Sequence, residues 1–117
     1  MAYNRDKPRV YEVRHLSAGE VEQFGKIAVV TDSPTLAVGI YGGFALIDAD
    51  DLHILESRRW NLAKSKNTHY VKYKRRAEQY YLHRVILGVT GQHQIDHINR
   101  IGWDNRKINL RISDFLW

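Results

Sequence analysis

The chain contains no cysteine. That excludes a disulfide framework, a thiolate zinc site and a cysteine nucleophile, so any metal would have to be held by His, carboxylate or amide groups. Long apolar runs are missing too: none approaches the roughly 18 residues of a membrane-spanning helix. The opening MAYNRDKPRV lacks the charged-then-apolar order of a secretory leader. A cytoplasmic protein with no membrane partner is expected. There is no internal repeat, no low-complexity tract and no Pro/Gly/Ser-rich linker, and 117 residues leave room for one domain with a modest core.

Acidic residues are scarce in one place only. Residues 1–57 carry five basic side chains against nine acidic ones, whereas residues 58–117 carry thirteen against four, and together they make the net charge of +5. Between Arg58 and Arg84 there are nine basic residues and a single acid, Glu78. A polyanion suits such a surface, because each Lys or Arg that neutralises a phosphate releases a condensed counterion. Trp60, Tyr70, Tyr73, Tyr80 and Tyr81 are interleaved with these charges, which favours nucleic acid over a merely solvated basic face.

Periodicity predicts an α+β fold built on a small antiparallel sheet. Ser17-Ala-Gly-Glu20 is a capping-box pattern that should open a short helix through Phe24. Lys26–Val30, Leu36–Tyr41 and Phe44–Ile47 read as apolar strands, followed by a brief helix over 49–56. Arg59–Lys64, His69–Lys74 and Gln79–Leu82 read as three more strands with connections of hairpin length, carrying the basic patch. One or two helical turns over 83–87 should close at Gly88. Residues 1–39 have no assignment beyond packing on the same domain; the functional domain is expected over 40–117.

The final segment holds Leu82-His83-Arg84, then Ile95-Asp96-His97-Ile98-Asn99, then Asp104-Asn105-Arg106-Lys107-Ile108-Asn109-Leu110-Arg111. This resembles the HNH endonucleases, in the phage and intron-encoded variant where Asn replaces the final His. Phe44–Asp51 and Arg59–Leu62 also resemble the segment that precedes the motif in those proteins, so the likeness covers roughly residues 40–112. It implies a ββα-metal (His-Me) finger over 92–112. It implies Asp96 and Asn109 as metal ligands, His97 as general base and Asn105 as the middle Asn that orients the loop carrying His97. It further implies a phosphodiester hydrolase that leaves 5′-phosphate and 3′-hydroxyl ends.

The residues support that chemistry on their own terms. Asp104 suits an N-cap, and a helix from Asn105 to about Ile112 would put Asn105 and Asn109 on one face, with Leu110 and Ile112 toward a core. A strand ending at Asp96-His97 and packed antiparallel beside that helix would let Asp96, His97 and Asn109 converge. A carboxylate and an amide oxygen are hard ligands, suited to one Mg2+, or Mn2+, that keeps waters and takes phosphate oxygens. His97, with an ordinary pKa near 6.5, can take the proton of an attacking water. Without cysteine there is no structural zinc.

Arg84, Lys72, Lys74, Arg75, Arg76, Arg106 and Arg111 are the expected contacts to nucleic acid. His83 has two readings, a contact to phosphate or metal-bound water and a histidine packed in the core. Trp60 and Trp103 read as core aromatics, and Asp48, Asp50 and Asp51 as acids serving a helix N-terminus. His15, His53, His69 and His93 read as ordinary histidines. The expected activity is a DNA nick with weak sequence preference, or specificity supplied by a homodimer or by a phage or host DNA-processing partner. The alternative is a non-catalytic DNA-binding module that retains the HNH scaffold.

Overall fold

A computed structural model describes residues 8–17, 19–20 and 34–113. The expected strand over 26–30 and most of the helix through Phe24 lie outside them. The capping box is formed: Ser17 Oγ accepts from the Glu20 N–H at 3.2 Å, and the Glu20 carboxylate accepts from the Ser17 N–H at 3.1 Å.

The molecule is α+β, made mostly of antiparallel strands with short helical segments. β1 (Glu12–His15), β2 (Thr35–Ile40) and β3 (Gly43–Asp48) form the first sheet, in that order. The boundary expected at 39/40 therefore falls inside β2. Leu36, Val38 and Ile40 alternate on β2, so one face of the strand can be wholly apolar and is buried. Tyr41-Gly42 turns the hairpin, with Gly42 at φ +89°, a conformation that disfavours any residue with a Cβ.

A 3-10 turn at Ala49–Asp51 runs into α1 (Leu52–Glu56). Then β4 (Asn61–Lys64), β5 (His69–Arg75) and β6 (Glu78–Tyr81) form a meander, followed by α2 (Leu82–Leu87). Gly88 ends α2 in the left-handed region, its N–H reaching the Arg84 and Val85 carbonyls. β7 (Gln94–His97) and β8 (Leu110–Ser113) make a separate antiparallel pair.

One apolar cluster joins the two three-stranded sheets, both helices and the β7–β8 pair. It contains Leu36, Val38, Ile40, Ala45 and Ile47 from the first sheet, Leu55, Trp60 and Val71, Leu82 and Ile86 of α2, and Leu110 of β8. Trp60 is 1 % exposed and donates its indole N–H to the Ile54 carbonyl at 2.9 Å, as a buried indole requires. Trp103 packs edge-on to Phe44 at 5.1 Å between centroids. Both tryptophans are structural.

The expected helix over 105–112 is not present. Residues Lys107–Asn109 make a 3-10 turn and Leu110–Ser113 a strand. Ile108, Leu110 and Ile112 recur every second residue, the period of a strand, and Leu110 is buried while Ile112 is 48 % exposed. Asp104 is correspondingly no N-cap, and β7 packs against β8 rather than against a helix.

Candidate functional site

The loop between β7 and β8 is organised by two asparagines and one buried ion pair. Asn109 is fully buried. Its side-chain oxygen accepts from the Asn99 N–H at 3.0 Å, and its NH2 donates to Asn99 Oδ1 at 2.9 Å and to the Asp104 carbonyl at 2.8 Å. Asn99 donates in turn to the Asp104 carboxylate at 2.7 Å, and the Ile98 N–H reaches the Asn109 carbonyl at 2.8 Å. Asp104 grips Arg106 through Nε at 2.7 Å and Nη2 at 2.5 Å. Their side chains are 0 % and 3 % exposed. The forked geometry holds the guanidinium charged, with its pKa raised chiefly by the Asp104 hydrogen bond.

The loop is docked on the rest of the fold as firmly as it is closed. Leu46 on β3 donates to the Trp103 carbonyl and accepts from the Asn105 N–H, at 2.9 and 2.8 Å. Asp48 accepts from the Lys107 N–H at 3.0 Å, and Asp51 from the Lys107 ammonium at 2.8 Å. These acids thus clamp the loop, instead of serving a helix N-terminus. Burial pushes the Asp48 carboxyl up from its ordinary value. Gly102 lies so close to β5 that a Cβ would meet the His69 carbonyl at 2.5 Å and the Tyr70 ring at 2.8 Å.

That docking presents His97. Asn105, also fully buried, places its side-chain oxygen 3.0 Å from His97 Nε2. An amide oxygen can only accept, so Nε2 carries the proton and Nδ1 keeps the lone pair. Asn105 Nδ2 has no partner in this arrangement. Around the ring stand His83 at 4.9 Å, edge-on, and Tyr70 at 5.7 Å between centroids. Tyr70 also touches His83, and Tyr81 lies 5.5 Å from it.

Burial lowers the pKa of both histidines. His83 falls to about 4, through desolvation first and then the neighbouring His97 and Arg84 charges; His97 falls through desolvation, opposed by Asn105, Asp104 and Asp96. Both rings are neutral at pH 7. His83 Nδ1 is buried without a partner.

Asp96 lies beside His97, with its side chain 40 % exposed and paired with Arg111 at 3.4 Å across the β7–β8 register. Two clefts of about 490 Å³ each meet at Tyr70, Ile95 and Asp96. The first also carries His83 and Arg84, the second His97, Arg100 and Arg111. Asp96, His97, His83, Arg84 and Arg111 are thus brought together.

Other expected site residues are placed elsewhere. Asn109 is spent on closing the loop and is inaccessible, so it is not presented as a metal ligand beside Asp96; it does the loop-orienting that was expected of Asn105, while Asn105 touches the His97 ring itself. Arg106 is buried against Asp104 and cannot reach a phosphate. Lys72 bonds Gln79 at 2.9 Å, Arg76 sits in the β5–β6 turn at φ 56°, and Lys74 and Arg75 line a different cleft. Arg84 is committed to the His93 and Gly91 carbonyls, both at 2.6 Å, which fixes the loop over the cleft.

Sequence reasoning missed Arg100 and the bridging role of Tyr70. Arg100 turns the chain at φ 64° with its N–H on the His97 carbonyl. Its proximity to Asp96-His97 was the available signal. Among the described residues no cluster of three or more His, Cys, Asp or Glu is poised to hold a metal, and no helix is long and apolar enough to cross a membrane. No protein-family model, curated protein or solved structure matches the chain.

Proposed function

We propose that the chain is a metal-dependent, HNH-type DNA endonuclease of the phage or mobile-element kind. One observation carries this reading: a neutral histidine, fixed through Nε2 by a buried amide, lies next to an accessible carboxylate in a cleft edged by arginines. His97 Nδ1 takes the proton from water attacking the scissile phosphate. Arg111 and Arg100 hold non-bridging phosphate oxygens. The divalent cation, Mg2+ or Mn2+, supplies Lewis-acid stabilisation of the leaving 3′ oxygen when bound.

Asp96 suits such a cation, since Mg2+ is often held by one or two carboxylates with waters and substrate phosphates. Asn109 does not suit it, for the reason given above. The products are 5′-phosphate and 3′-hydroxyl ends. One site makes a nick, with weak sequence preference unless a homodimer or a DNA-processing partner adds to it, and a cytoplasmic location belongs to the same reading. Purified protein should relax supercoiled plasmid with Mg2+ or Mn2+. Activity that survives a chelator, or that is undiminished in His97→Ala, overturns the proposal.

A second reading is favoured by the commitment of Asn109 to the loop, which leaves Asp96 as the carboxylate lining the clefts, without the amide ligand expected beside it. In it the chain is a DNA-binding module that retains the HNH scaffold without cutting. Salt-sensitive binding with no cleavage, and with affinity unchanged in Asp96→Ala, distinguishes it.

A further inference from the structure

A cleft of about 640 Å³ is lined by Arg9, Arg58, Arg59, Tyr73, Lys74 and Arg75. Five of its six residues are cationic and none is acidic. It is separate from the His97 cluster. Tyr70, which touches His97, and Tyr73 are three apart on β5, so they point to opposite faces of the strand.

The cleft has a built wall. The Arg58 guanidinium lies 5.9 Å over the Tyr73 ring, and Tyr73 stacks on Tyr80 at 4.7 Å and 12°. Tyr80 bonds Glu78 through its hydroxyl, and Tyr73 leans edge-on against the buried Trp60 at 4.6 Å. Arg9 is held across the mouth by the Glu56 and Ser57 carbonyls, both at 3.1 Å. Neutral carbonyls orient that charge without cancelling it. Cations gathered in one cleft repel one another, and the repulsion is relieved by an anion that meets several at once.

We infer that this cleft is a second phosphate-backbone site, which grips a segment of duplex DNA where Tyr73, Lys74 and Arg75 end β5, away from the His97 cleft. Guanidinium forks match phosphate oxygens, and the space exceeds one phosphate, so successive phosphates of one backbone are an occupant that meets several of these cations at once. The identity of the duplex rests on the proposed function. The phosphate-binding property does not, and the test separates the two.

The full-length chain is titrated against a labelled duplex over a range of salt, comparing the wild type with Arg58→Gln/Arg75→Gln and with Lys74→Gln. Each phosphate contact contributes about 0.9 to the slope of log K against log salt. The double variant is expected to bind more weakly with a slope shallower by about 1.8, and Lys74→Gln, whose exposed side chain leaves the fold alone, by about 0.9. Arg58→Lys/Arg75→Lys should keep the wild-type slope. Unchanged slopes in both glutamine variants overturn the inference, as does competition by polyglutamate equal to that by duplex of the same charge, which assigns the cleft to an acidic protein. A chain that never cuts plasmid but shows these slopes refutes the nuclease and leaves the cleft standing.

Discussion

The β7–β8 loop and the β4–β6 sheet are both rich in charge and are built in opposite ways. In the loop, Asp104 and Arg106 are withdrawn from water and bonded to each other, and Asn99 and Asn109 close the chain around them. On the sheet, Lys74, Arg75 and Arg76 are exposed, and cations gather in an open cleft. Buried charge with matched partners costs desolvation and gives one geometry; exposed charge costs little and gives attraction without geometry. The loop positions one ring, His97, while the sheet is suited to holding a polyanion.

The largest effect should come from breaking the loop. Asp104→Ala leaves the Arg106 guanidinium buried without its partner, and a loss of about 3–5 kcal/mol is expected in denaturant unfolding. A loss below about 1 kcal/mol would place the pair with ordinary surface bridges.

Acid should act on the ring cluster next. A histidine whose pKa falls on folding binds fewer protons folded than unfolded, so the stability that His83 contributes is complete above its unfolded value of 6.5 and is lost as pH drops toward about 4. His83→Phe keeps an apolar ring and removes that titration. Its melting midpoint relative to wild type should rise as pH falls from 7 to 4, by the equivalent of about 1–3 kcal/mol. A pH-independent difference would remove His83 from the acid response.

Gly102→Ala tests how tightly the loop is pressed on β5. Its Cβ would meet the His69 carbonyl at 2.5 Å, so a loss of about 1–3 kcal/mol is expected, with a shifted His97 resonance because Tyr70 touches both. Wild-type stability with an unmoved resonance would show that the contact has slack.

At the other end, Lys72→Gln on the sheet removes one exposed bond to Gln79 and should change stability by less than about 0.5 kcal/mol. A larger loss would mean that the sheet, like the loop, depends on its charges for folding.

Much of the fold was legible because strands announce themselves by alternation. Leu36, Val38 and Ile40 mark β2, Val71 and Tyr73 mark the inner face of β5, and Gly88 stops α2 where a left-handed residue is needed. The candidate site was legible as a neighbourhood, since Asp96-His97, Leu82-His83-Arg84 and the asparagines beyond them are near one another in the chain. The segment after Asp104 was misread because cap and amide residues suggested a helix, while the apolar spacing at 108, 110 and 112 was that of a strand.

The roles of individual polar residues were not legible, because a side chain's type does not say whom it meets. Asn105 and Asn109 are chemically identical; one bonds His97 and the other locks the loop, and only the path of the chain past Leu46 separates them. Arg106 and Arg111 look alike as cations, yet one is 2 % exposed and the other's side chain 64 %. Sequence alone determined strands β2 to β6, the charge asymmetry and the stretch in which the chemistry lies, since periodicity and composition are local properties. Tertiary structure decided which amide faces the histidine, which arginine is left for a ligand and where the second cationic cleft opens, because burial and partnership depend on segments far apart in the chain.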